Sequence, residues 1–132
     1  MKLYEYDAKG IFSRSGIHVP EGEPVTDAKD AGKIAQRLGS VIVKAQVLTG
    51  GRGKAGGILT ASTPQEAVQN AQRILGLLIK GIQVRKVLVE ENEKPKKEMY
   101  LGITIDRKAR CPIMMAWTYL DMTRAVSATD SP

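Results

Sequence analysis

One stretch limits the folds open to this chain more than any other: Val41-Ile-Val-Lys-Ala-Gln-Val-Leu-Thr-Gly-Gly-Arg-Gly-Lys-Ala-Gly-Gly-Ile58. A β-branched run reads as a buried strand that delivers Lys44. Five glycines and two cations follow within the eight residues from Gly50 to Gly57, and Ile58-Leu-Thr-Ala61 resumes as a strand. The segment is therefore a strand, a glycine loop and a returning strand. Glycines let the main chain come close to a ligand, and successive free N–H groups in such a loop form an anion-binding concavity. Arg52 adds a planar fork and Lys54 a point charge, both suited to phosphate oxygens. The competing reading is a plain structural hairpin. The loop lacks the Ser or Thr after lysine of the Walker arrangement, and no Gly-x-Gly-x-x-Gly opens a helix, so two common nucleotide fingerprints are excluded.

The rest of the chain supports an ordinary globular setting. Its 132 residues suffice for one domain with a sizeable core. Aromatics at 5% are too few for a single-strand stacking platform. Twenty Lys and Arg against fourteen Asp and Glu leave a net charge of +6, which suits an anionic ligand or simple solubility. The cations are dispersed, which argues against a nucleic-acid partner. Cys111 is the only cysteine, so no intrachain disulfide forms and a reducing compartment fits. With no apolar signal core at the amino terminus and no stretch near the roughly 20 apolar residues of a membrane span, a cytoplasmic protein with no membrane partner is expected. His18, the sole histidine, sits in a turn and reads as a solvated or hydrogen-bonded imidazole.

Spacing then divides the chain. Tyr4, Ala8, Ile11, Phe12 and Ser15 predict a helix over residues 3–15, capped by Gly16. A short extended piece ends near Val25. Thr26 is the expected N-cap of a helix whose face is Ala28, Ala31, Ile34, Ala35 and Leu38, with Gly39 as its stop. Thr63-Pro-Gln-Glu66 is a capping box for a helix carrying Ala67, Val68, Ala71, Ile74 and Leu75 inward. Strands are expected over 83–91, 98–106 and 112–116, with a solvated charge run at 94–97. Helices alternating with strands predict an α/β, layered α+β domain, a mixed sheet with helices on one side.

The order of these pieces resembles the amino-terminal part of the β subunit of succinyl-CoA synthetase, the ADP-forming succinate–CoA ligase, an ATP-grasp enzyme. The resemblance covers about residues 1–116. It rests on Leu3-Tyr-Glu-Tyr-Asp-Ala-Lys9, Gly16-Ile-His-Val-Pro20, Val43-Lys-Ala-Gln46, Gly50-Gly-Arg-Gly-Lys-Ala-Gly-Gly57, Val87-Leu-Val-Glu90, and Tyr100-Leu-Gly102 before Asp106-Arg107. It implies an ATP-grasp amino-terminal lobe that binds ATP or GTP with Mg²⁺. Lys44, Gly51, Arg52 and Gly53 would then reach and cover the nucleotide phosphates. Glu90 would lie beside the adenine, Glu93 would belong to the linker at the base edge, and Glu98 would bind the ribose hydroxyls. The implied reaction joins succinate and CoA at the expense of ATP or GTP, in the citric acid cycle. The implied partner is an α subunit that carries the phosphohistidine.

The likeness stops at Ala116. Residues 117–132 read as a divergent tail, with disorder one option and a patch over exposed apolar surface, through Trp117, Tyr119, Leu120 and Met122, the other. The second lobe of the grasp, with its Mg²⁺ ligands, has no counterpart in the sequence, so no catalytic or metal-binding residue is assigned and the chain alone is expected to be inactive. The alternatives are a β-type subunit fragment of a related acid–CoA ligase, such as malate–CoA ligase, and a non-catalytic assembly or regulatory fragment.

Overall fold

The structure, a computed structural model, describes residues 2–118. Along the chain run α1 (Glu5–Arg14), β1 (Gly22–Val25), α2 (Ala28–Leu38), β2 (Val41–Ala45), β3 (Ile58–Ala61), α3 (Pro64–Ile74), β4 (Leu78–Ile79), β5 (Ile82–Gln83), β6 (Val87–Glu91), β7 (Met99–Asp106) and β8 (Cys111–Thr118). Two compact units meet in sequence between Glu93 and Lys94.

The first unit is built on a four-stranded sheet in the order β1-β6-β2-β3. Every ladder in it is antiparallel, whereas the sequence reading expected a mixed sheet. The reason lies in the crossovers. α2 carries the chain from β1 to β2, which run the same way, but β6 lies between them; α3 likewise joins β3 to β6 with β2 between. Parallel strands exist, yet none are neighbours.

Period-two alternation sends Val41, Val43 and Ala45 of β2, and Val87 and Val89 of β6, to one face. There they meet Ala28, Ala31, Ile34 and Ala35 of α2 and Ala67, Ala71 and Ile74 of α3. Each fully buried valine or isoleucine contributes roughly 1.5–3 kcal/mol. Asp27, and not Thr26, caps α2: its carboxylate accepts from Lys29 N at 2.8 Å. The extended backbone at Asp27 brings that oxygen over the first turn. At α3 Thr63 Oγ1 accepts from Glu66 N at 3.2 Å as the capping box requires, while the Glu66 carboxylate reaches Ser62 N at 2.7 Å.

α1 forms where expected but buries none of its residues, and Ile11 and Phe12 are exposed. Its helical spacing is real; the apolar side is simply not covered. The strand expected over 83–91 is interrupted. β4 and β5 make a small hairpin whose two turn residues, Lys80 and Gly81, both have positive φ (51° and 78°), and β6 starts only at Val87.

In the second unit β7 and β8 pair from Met99↔Thr118 to Asp106↔Cys111. β8 continues past Ala116, where the resemblance had ended, and Trp117 stacks on Tyr100 with ring centroids 4.6 Å apart. Met99, Leu101, Ile103 and Ile105 alternate along β7 and are all exposed. Of the expected tail, Tyr119, Leu120, Met122 and the remainder of 119–132 lie outside the described residues. No helix among the described residues is long and apolar enough to cross a membrane.

Candidate phosphate site

The alternation that buries Val43 turns Lys44 to the opposite face of the sheet, and Leu88 and Glu90 of β6 share that face. β1 runs beside β6 at this point, with Gly22 paired to Glu90. A Cβ at Gly22 would lie 2.4 Å from the Glu90 Cβ. Glu90 is only 2% exposed. A buried carboxylate needs charged partners, and Glu90 has two: Lys44 and Lys9 of α1.

Glu5, one turn before Lys9, extends the network. Its Oε1 accepts from Lys44 Nζ at 3.2 Å and faces Lys9 Nζ at 3.5 Å, and its Oε2 accepts from Arg52 Nη1 at 2.7 Å. The same Arg52 Nη1 donates to the carbonyl of Ala45, the last residue of β2, at 3.0 Å. Three cations and two carboxylates thus form one half-buried cluster, and α1 is held over the sheet by charge where it lacks apolar burial. Burial by itself raises the Glu5 pKa, but Lys44, the Arg52 hydrogen bond and charge, and Lys9 outweigh it and leave the carboxyl below its ordinary value. For Lys44, burial pulls downward, while the Glu90 hydrogen bond and the Glu5 and Glu90 charges prevail and raise it. Both groups are therefore charged near neutral pH.

The glycine loop leaves β2 beside this cluster. Its far half is closed by bonds from Ala55 N to Gly51 O, Gly56 N to Gly53 O and Gly57 N to Arg52 O. Among the described residues no carbonyl accepts from the N–H groups of Gly51, Arg52, Gly53 or Lys54. Those are the groups a phosphate concavity requires. Gly51 has φ of 89°, which an L side chain rarely adopts. Gly50, Gly51, Arg52, Gly53 and Lys54, with Glu5 opposite, line a cleft of about 780 Å³.

Five of the seven residues expected at the site, Lys44, Gly51, Arg52, Gly53 and Glu90, fall in this cluster and loop. Glu93 does not: it is exposed and pairs with His18 Nε2 at 3.2 Å, which also answers the expectation of a hydrogen-bonded imidazole. Glu98 lies in the second unit, exposed, just ahead of β7. Sequence reasoning missed Glu5 and Lys9. Their signals were the i, i+4 spacing of opposite charges, which on most helices marks a solvated pair, and their place in the Leu3–Lys9 stretch that carries the family resemblance. Among the described residues no three His, Cys, Asp or Glu side chains converge so as to hold a metal ion.

The sheet thus carries two helices on one face and a cation-lined glycine loop beyond the end of β2. The chain belongs to the ATP-grasp domain family, whose pattern matches residues 2–120. It is 50% identical over 117 residues to the β subunit of the ADP-forming succinate–CoA ligase of Roseiflexus sp. (strain RS-1), covering 88% of this chain and 31% of that protein. It is 48% identical over 116 residues to the GDP-forming β subunit of Thermus thermophilus, with 87% and 31% covered. The chain thus spans about a third of the length of the curated relatives it matches. The fold is also that of the dinucleotide-forming acetyl-coenzyme A synthetase 1 of Ca. Korarchaeum cryptofilum, with a TM-score of 0.79 at 20% identity over 93% of this chain and 57% of that one.

Proposed function

We propose that the chain is the nucleotide-binding portion of a succinate–CoA ligase β subunit and that its cleft holds the phosphate tail of ATP or GTP. The observation that carries this reading is the junction of Arg52 with Lys44, through Glu5, at the mouth of a loop with four free N–H groups. The donors fit phosphate chemistry: a fork, two ammonium groups counting Lys54, and main-chain N–H groups. Glu90 serves to hold Lys44 and Lys9 from beneath. Glu93 and Glu98 are assigned to base and ribose by the likeness alone. Relatives named as ADP-forming and as GDP-forming match almost equally well, so the reading covers both nucleotides.

In the whole ligase the proposed reaction uses succinate, CoA and nucleoside triphosphate, with an α subunit as partner. Phosphoryl transfer depends chiefly on positioning and charge neutralisation, and this chain's residues supply the positioning on the phosphate side. The implied Mg²⁺ finds no ligand set among the described residues. Binding of Mg·ATP and Mg·GTP by calorimetry tests the reading. Saturable binding that is lost in Lys44→Ala and Arg52→Ala, with both variants still folded, supports it; binding unaffected by either change refutes it.

A second reading, an assembly or regulatory fragment, is favoured by the bare apolar face of β7. Capture of a succinate–CoA ligase α subunit without nucleotide binding would select it. A fragment of a related acid–CoA ligase such as malate–CoA ligase stays within the first reading, since no residue of the cleft is assigned to the acid.

A further inference from the structure

The Glu5 carboxylate sits on the two side chains that the phosphate reading needs. One oxygen takes Lys44 and the other takes Arg52, so a single carboxylate spans both cations as a phosphate would. Glu5 also lines the cleft beside the glycine loop. It is carried by the first turn of α1, a helix with no buried residue. A ligand anion arriving at Lys44 and Arg52 therefore meets a tethered competitor of the same sign.

We propose that Glu5 is a selectivity residue of this cleft: a built-in anion that phosphate must displace from Lys44 and Arg52. The inference rests on the phosphate reading above and adds to it a rule for which anions succeed. A tethered group competes at a high effective concentration, so a small anion with only the Lys44–Arg52 pair to bind bears the whole cost of displacement. A polyphosphate can also hold the free N–H groups of Gly51 to Lys54 and the Lys54 ammonium, and so remains bound while it competes. The cleft thereby favours long phosphate tails over orthophosphate. Glu90 does not play this part: its carboxylate is buried and pairs with Lys44 and Lys9 but not with Arg52, so it does not bridge the two cations.

The test compares the full chain with Glu5→Gln, which keeps an acceptor for Arg52 and removes the charge, and with Glu5→Asp, which keeps the charge and withdraws it by one methylene. Orthophosphate and tripolyphosphate affinities are measured by titration of amide NMR signals, with folding checked in the same spectra. Orthophosphate is expected to bind roughly tenfold tighter to Glu5→Gln, from the loss of a charged competitor, with a smaller gain for tripolyphosphate. Glu5→Asp is expected to show a partial gain, and it carries the test should the Gln variant not fold. Tightening cannot come from damage to the site, which would weaken both ligands. Unchanged or weaker orthophosphate binding overturns the role of Glu5 and leaves the phosphate reading standing if tripolyphosphate still binds. If neither anion binds wild type or variants, both proposals fall.

Discussion

Lys44 and Glu90 form an ion pair across the β2–β6 ladder although they are not directly opposed: Lys44 faces Leu88 and Glu90 faces Ile42. The diagonal arises because both residues occupy the face turned away from α2 and α3. It places a buried carboxylate under the lysine that the phosphate reading needs most. Binding and stability are therefore coupled at this position, and a loss of binding in a Lys44 variant is informative only alongside its stability.

Lys44→Met is expected to cost about 1–3 kcal/mol, because Glu90 stays buried with only Lys9 as its cation. A double-mutant cycle with Glu90→Gln, read from urea unfolding, should show a coupling of at least about 1 kcal/mol. Additivity within about 0.3 kcal/mol would mean that water, and not Lys44, satisfies Glu90.

The shifted groups set the shape of the pH–stability curve. Glu5 has a lowered folded pKa, so its contribution is present above the unfolded carboxyl value and disappears as pH falls through the folded one. Lys44 has a raised folded pKa, so its contribution is complete below the unfolded lysine value and is lost as pH rises through the folded one. Denaturation midpoints should decline from about pH 5 downward and above about pH 10. Glu5→Gln should flatten the acid limb and Lys44→Met the alkaline limb. An acid limb identical in wild type and Glu5→Gln would show that the Glu5 contacts do not persist in solution.

Gly22→Ala should disturb Glu90 specifically. The added methyl would sit 2.4 Å from the Glu90 Cβ and 2.7 Å from the Val89 carbonyl, and neither can yield without moving β1 off β6. Overpacking of this kind costs roughly 1–3 kcal/mol. Thermal unfolding checks it; a variant as stable as wild type would mean that β1 does not pack against β6 as described.

Lys80 holds φ at 51° in the two-residue turn between β4 and β5, a conformation in which Asn is far more at ease. Lys80→Asn should raise stability by roughly 0.5–1 kcal/mol, from relief of local backbone strain. A loss of stability would instead point to work done by the lysine side chain, whose Cε lies 3.5 Å from the place of a Cβ on Gly51.

The open face of β7 should be adhesive. Ile103 and Ile105 are each 71% exposed, and Met99 and Leu101 flank them on the same strand. Exposed apolar ribbons of this type bind hydrophobic dyes and self-associate. Ile103→Lys with Ile105→Lys should lower dye fluorescence and light scattering at high protein concentration without changing the unfolding of the first unit. Equal dye binding by the doubly substituted chain would place the adhesive surface elsewhere.

Sequence alone determined the local elements. Hydrophobic spacing, caps and glycine punctuation act over a few residues, so α2, α3, the β2–loop–β3 hairpin and the cations at Lys44 and Arg52 could be read from the chain. Family likeness then supplied the ATP-grasp class. Only the tertiary structure decided what those cations face. Glu5 and Glu90 are 85 positions apart in sequence, and no local pattern records that α1 folds back over β6 and β2. The antiparallel sheet was hidden for the same reason: which strand slips between two others is settled by packing over the whole unit, because each crossover must find a place for its helix on the one apolar face.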